Sequence, residues 1–165
     1  MDKRAYKELS AKAANGNTKA FAQLYETVYR EMYYAAYYSL INDADAVEVV
    51  TATVRDGFSA VGRLHTDAAF RAFMMKTLCA RIKQKFREYS SMGIKVVYDK
   101  RCLRPNDDGI DIKQEFNRLG DLERLVTSLY VVGRFPPDEI AAYTGMTTGA
   151  VKRRMERSLE QFSLD

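Results

Sequence analysis

The stretch "RFPPDEIAAYTGMTTGAVKRRMERSLEQF", Arg134 to Phe162, decides how the rest of the chain is read. Pro136 and Pro137 open a short helix whose first turn carries Asp138 and Glu139, where carboxylates favour the positive end of the helix dipole. Ala141 is small enough to let a second helix cross closely, and Gly145, four residues on, supplies the turn. Ile140, Met146 and Val151 stand where apolar side chains lock two such helices together. Thr147 or Thr148 caps the second helix, whose apolar side is Val151, Met155, Leu159 and Phe162. Thr148, Lys152, Arg153, Arg154, Glu156 and Arg157 are left on its open sides.

This spacing is that of a DNA-binding helix-turn-helix. The front turns of its second helix enter the major groove, where arginine pairs with guanine and threonine meets a base edge or a thymine methyl. Thr147, Thr148, Lys152 and Arg153 are therefore candidate groove contacts, with Arg154 and Arg157 better placed for phosphate. The competing reading is a solvated helical hairpin whose arginines only keep it soluble.

Working back from this motif, Leu119, Leu122, Leu125, Val126, Leu129 and Tyr130 keep a three-four period up to Gly133. Before them, "MGIKVVYDKRCLRPNDDGIDIKQEF" has Gly93, Pro105, Gly109 and a charge run without a sustained period, which suits a linker. Its "IKVVY" is a candidate strand with nothing to pair with. Further back, Phe21, Leu24, Tyr25, Val28, Met32, Ala36 and Leu40 form one amphipathic helix behind an Asn17 cap. "INDADA" interrupts, and Val49, Val50, Thr53, Val54, Phe58 and Val61 form a second helix ending near Gly62. A third opens near Asp67 with Phe70, Phe73, Met74, Leu78, Ile82 and Phe86 along one side; Phe73 and Phe86 are read as core. The expected fold is all-α: a helical bundle over residues 1–89, a linker over 90–117 and a helix-turn-helix domain over 118–165. The linker composition leaves two arrangements open, mobile domains or domains closed on each other in an inhibited form.

Composition narrows the function classes. A chain of 165 residues supports one ordinary domain or two small ones, and its hydrophobic fraction of 47% is that of a folded protein. No apolar run reaches membrane-span length, and the charged "MDKRAYKELSAKAANGN" start lacks the apolar middle of a secretory signal, so a soluble, cytoplasmic protein is expected. Cys79 and Cys102 lie far apart without CxxC spacing and read as free thiols, and His65 stands alone. With no nucleophile-base pair, phosphate loop or metal cluster in view, no enzyme, cofactor or metal site is expected. The net charge of +4 is concentrated at Lys76 to Arg101 and Lys152 to Arg157, which points to a polyanionic partner.

Taken together, these segments resemble a bacterial RNA polymerase sigma factor of the extracytoplasmic-function type, which keeps only sigma regions two and four. "NGNTKAFAQLYETVYREMYYAAYYSLINDADAVEVVTATVRDGF" follows the family's opening pattern, with Asp45, Ala46, Glu48, Val50, Thr53 and Phe58 in its second part. "FRAFMMKTLCARIKQKFREY" is similar to the family's Phe-Arg-x-Trp-Leu helix with its basic end. "LVTSLYVVGRFPPDEIAAYTGMTTGAVKRRMERSLEQF" resembles region four, including Glu139 to Ala141 and the pair Val151 and Lys152.

The resemblance implies a factor that binds core RNA polymerase and directs transcription initiation, with region two on the minus-ten element and region four on the minus-thirty-five element of promoter DNA. Asp45 and Glu48 would face polymerase. Arg71, Lys76, Arg81, Lys83, Lys85 and Arg87 would lie near the melted strand, where a positive groove with aromatic stacking holds single-stranded DNA. The linker with its acidic "NDDGID" would thread towards the polymerase active centre, and an anti-sigma factor would restrain the protein. Thr51 and Ala52 stand where the family usually has glutamine and glutamate, Phe58 and Phe73 where it has tryptophan, and Cys79 and Ala80 where arginine and asparagine are common. The alternative is a sigma-like DNA-binding regulator or mobile-element protein that has lost productive polymerase binding.

Overall fold

The computed structural model describes residues 1–94 and 115–163, with side chains through residue 161, and the described residues are all-helical, without strands. The candidate strand beyond Ile94, Cys102, the acidic "NDDGID" and the side chain of Phe162 lie outside them. In chain order the helices are α1 (Lys3–Ala14), α2 (Thr18–Leu40), α3 (Asp43–Ala60, continued by a 3₁₀ turn Val61–Arg63) and α4 (Asp67–Ser91). After the undescribed segment come α5 (Asp121–Thr127), α6 (Pro137–Thr144) and α7 (Thr148–Ser163).

Each of the first long helices starts where a short polar side chain replaces a missing backbone partner. Asn17 Oδ1 accepts from Ala20 N–H at 3.0 Å, Asn42 Oδ1 from Asp45 N–H at 3.0 Å, and Thr66 Oγ1 from Ala69 N–H at 3.0 Å. The caps explain why "INDADA" ends one helix and starts the next within two residues. Ile41 absorbs the corner in a left-handed conformation, φ 51°. A β-branched residue is strained there. Its side chain is held by burial against Phe116 and Leu119, where Tyr38 also packs, its ring 4.9 Å from that of Phe116.

α2 is the central helix, packed by α1, α3, α4 and α5. Phe21, Leu24, Val28, Met32 and Ala36 are buried at the predicted spacing, and Phe70, Met74, Leu78, Ile82 and Phe86 of α4 meet them. Phe73 is only half-buried, its ring packed on the edge of this core. α3 and α4 approach closely at Gly57, where a Cβ would run into Met74 Sδ. α1 is a helix that the sequence pattern did not mark. It docks through Tyr6, whose hydroxyl donates to Leu64 O at 2.7 Å, and burial pushes that phenol up to about 12.

α5 runs on through Ser128–Val132 as one π-helical turn and stops at Gly133. Leu125, Val126 and Leu129 of this helix, Phe135, and Ile140, Val151 and Met155 of the last two helices belong to the same buried cluster as the core of α1 to α4. The N-terminal and C-terminal helices are therefore closed on each other, the second of the two arrangements that the sequence left open. Arg124 of α5 seals the seam. It is 3% exposed, and its Nε donates to Ser39 O on α2 at 2.8 Å and its Nη1 to Leu119 O at 2.7 Å.

Candidate nucleic-acid interface

α6 and α7 are joined by the short turn Gly145 to Thr147, at the place where the sequence predicts a helix-turn-helix. Gly145 ends α6 at φ 73°, its N–H returning to Ala141 O at 3.0 Å, and this left-handed turn is one that glycine adopts without strain. Thr147, not Thr148, caps α7: its Oγ1 accepts from Ala150 N–H at 3.1 Å. Ile140, Ala141 and Val151 are buried between the helices, as the spacing predicts.

The buried stripe of α7 needs one correction. Val151 and Met155 are buried, but Leu159 is 38% exposed, and Ser158 takes the inward position with its Oγ bonded to Arg154 O at 2.9 Å. Spacings of four and then three from Val151 lead to Ser158, so a polar residue continues the stripe where an apolar one was expected. Arg154 also has an unexpected partner: its Nη1 pairs with Glu123 of α5, so it fastens α7 to α5. Thr148, Lys152, Arg153 and Arg157 are exposed, and the three cations among them make no ion pair within the described residues. They form an open, mainly positive face, with Glu156 the acid standing among them.

α4 presents its cations differently. At about 100° per residue, Lys76, Lys83 and Arg87 share one side of the helix, while Arg71, Arg81 and Lys85 lie on the other. On that other side every cation is engaged. Arg71 Nη2 donates to Thr27 O at 3.3 Å, and Arg81 grips Asp56 Oδ2 through Nε at 3.0 Å and Nη2 at 2.5 Å. Lys85 Nζ lies 3.2 Å from Glu48, 3.7 Å from Glu88 and 3.9 Å from Asp45. Asp45 also accepts from the Tyr89 hydroxyl; burial above all, with help from that carboxylate, pushes the phenol well above its ordinary value. Asp45 and Glu48, the candidate polymerase contacts, are thus joined to Lys85, a candidate strand contact, in one ionic cluster.

The first side of α4 faces α6. Lys76, Ala80, Lys83 and Arg87 form one wall of an open cleft of about 390 Å³, and Ala142, Tyr143, Thr144 and Gly145 form the other. Lys83 Nζ donates across it to Thr144 O at the end of α6, and Arg87 leans along its own helix onto Gln84 Oε1 at 2.7 Å. Lys76 is exposed, with no ion pair among the described residues. Cys79, beside this face, is fully buried, and burial raises its thiol to about 12. Among the described residues no group of carboxylates, cysteines and histidine could hold a metal ion, and no helix is long and apolar enough to cross a membrane.

Neither a family model nor a curated protein sequence matches the chain. A solved structure does. The chain is similar to CnrH as seen in the structure of CnrH in complex with the cytosolic domain of CnrY. The two superpose with a TM-score of 0.69 at 23% sequence identity, over 97% of this chain and 96% of that one. At this identity the likeness carries the fold: the same all-helical architecture over nearly the full length of both chains.

Arg124 is the buried cation that the sequence pattern passed over. Its signal is present in hindsight, as an arginine set inside the apolar run Leu122, Leu125, Val126 with Asp121 one turn before it. A cation in such a stripe needs a buried acceptor, and only the fold supplies Ser39 O.

Proposed function

We propose that this chain is a sigma factor of the extracytoplasmic-function type, which binds core RNA polymerase and gives it promoter specificity. α6 and α7 read the minus-thirty-five element as duplex, and α4 engages the minus-ten element. The observation that carries this reading is the open face of α7. Lys152, Arg153 and Arg157 project from a capped helix that follows a glycine turn, and none of them makes an ion pair among the described residues, although Glu156 stands on the same side. An open basic face of this kind suits phosphate and guanine.

The sequence resemblance to regions two and four and the fold shared with CnrH support the same reading. Residues 1–89 would then act as the region-two unit and 118–165 as the region-four unit, with Asp45 and Glu48 facing polymerase. CnrH was solved with the cytosolic domain of CnrY, and a protein partner in the anti-sigma role is proposed for this chain too.

The test is addition of the purified protein to core RNA polymerase, followed by co-purification and transcription from a promoter library. A stable complex that starts transcription at a defined promoter class supports the reading. Duplex binding without any complex with core enzyme overturns it in favour of a DNA-binding regulator. The engagement of Asp45 and Glu48 by Lys85 gives that second reading its footing.

A further inference from the structure

The last helix is held by few apolar groups. On the inner side of α7, Val151 and Met155 are buried, Ser158 is buried in the third place, and Leu159 is 38% exposed. Beyond Met155 the described part of this stripe therefore has no large side chain to lodge between its neighbours. The Ser158 hydroxyl is bonded to its own helix at Arg154 O, so it does not resist rotation either. Apolar packing fixes where α7 lies, and another contact must fix its roll about its own axis.

An ion pair stands where that contact is needed. At about 100° per residue, Arg154 lies about 40° from Ser158 and about 60° from Arg157, at the border between the buried stripe and the open face. Its Nη1 pairs with Glu123 Oε1 on α5. Glu123 is itself well held. Its side chain is 16% exposed, and it stands in the first turn of α5, where the helix dipole favours a carboxylate. Its other oxygen, Oε2, lies so close over Gly120, the residue that opens the helix, that a Cβ there would stand 2.6 Å from it. Glycine at 120 thus leaves room for the carboxylate that meets Arg154. The pair ties the rim of α7 to α5, which is anchored in the main core through Leu125 and Val126.

Roll decides what the exposed Lys152, Arg153 and Arg157 can reach. A turn of about 20° moves a side-chain end about 5 Å from the axis by about 2 Å, more than a bidentate hydrogen bond to a base tolerates. A flexible cation on a phosphate tolerates it. From these observations we infer that Glu123 is a positioning residue for duplex recognition: through Arg154 it sets the roll of α7. Arg154 acts as its counterpart instead of as the phosphate contact that its charge suggests in the sequence. The inference rests on the proposed reading of α7 as the duplex-binding helix. Sequence preference then depends on a residue of α5 that touches no DNA.

The test is a double-mutant cycle in the full chain: Glu123→Gln, Arg154→Gln and the two together. Each substitution removes one charge of a partly exposed pair, so the fold is retained, and a urea titration checks it. The probes are a duplex enriched by the unsubstituted protein from a randomised pool and a mixed-sequence duplex of the same length, read by fluorescence anisotropy over a range of salt. In each variant the enriched duplex is expected to bind about ten-fold more weakly, while the mixed duplex changes by less than about two-fold and the salt slope is unchanged. The double variant loses no more than either single one, because the two side chains act as a unit. A fall in the urea midpoint with no change in the ratio of the two affinities marks a purely structural pair and overturns the inference. So does a salt slope that drops by about one in Arg154→Gln with equal weakening on both duplexes, because Arg154 then contacts phosphate. If Glu123→Gln does not fold, Arg154→Gln alone still separates these outcomes, since the affinity ratio moves in one case and the slope in the other. If the unsubstituted protein binds neither duplex, the reading of α7 falls and the positioning role with it; duplex binding that keeps its sequence preference in all the variants removes the positioning role alone.

Discussion

The two basic helices, α4 and α7, look alike in a charge count and differ in what their charges are free to do. On α4, Arg71, Arg81, Lys83, Lys85 and Arg87 each bond to a group of the protein itself, and Lys76 alone of the six candidates has no such partner among the described residues. On α7, Arg154 is engaged by Glu123 while Lys152, Arg153 and Arg157 are open. The difference teaches that a basic patch in a sequence measures formal charge, whereas binding depends on charge that is not already compensated. α4 is a core helix that also carries cations, and α7 carries its cations on a face that nothing covers.

The comparison breaks most visibly in stability. Ile82→Ala on α4 removes a fully buried side chain from the centre of the bundle, and a loss of about 2–5 kcal/mol in urea unfolding is expected. If α7 is the peripheral helix, Met155→Ala, at 8% exposure, gives a clearly smaller loss in the same measurement. Next in size is DNA affinity. Arg153→Ala is expected to weaken duplex binding by about 1–3 kcal/mol with altered sequence preference; an equal loss on every sequence assigns Arg153 to phosphate.

A smaller effect separates free from engaged cations directly. Lys152→Gln should reduce the salt slope of duplex binding by about one, and Lys85→Gln should leave it unchanged, because Lys85 already faces Glu48, Glu88 and Asp45. A slope that falls equally in both variants erases the contrast between the helices. At the local scale, Thr147→Ala should cost about 1 kcal/mol through the lost bond to Ala150 N–H, seen as a small fall in the urea midpoint. The last check concerns Cys79, whose thiol burial holds at about 12. In a Cys102→Ser protein it should stay unreactive to a disulfide reagent at neutral pH until the chain unfolds.

Local signals were legible. The caps Asn17 and Thr147, the buried stripes of α2 and α4, and the glycine turn at Gly145 each depend on residues within a few positions of one another, and the chain states them openly. α1 was missed because Tyr6 and Ala13 are its only fully buried residues, too few for a period to show. The outward turn of Leu159 was missed because a stripe that carries Ser158 inward is invisible to a rule that counts apolar residues.

What the sequence determined by itself is therefore the set of helices that carry a strong period or a cap, their all-α class, and the glycine turn between the last two helices, since backbone geometry and short-range capping act over four residues or fewer. What only the tertiary structure decided is which charges remain available. Arg124 meets Ser39 across 85 positions, Lys83 meets Thr144 across 61, and Arg81 meets Asp56 across 25. Pairing between charged groups depends on distance in space, and no local pattern in the chain encodes those distances.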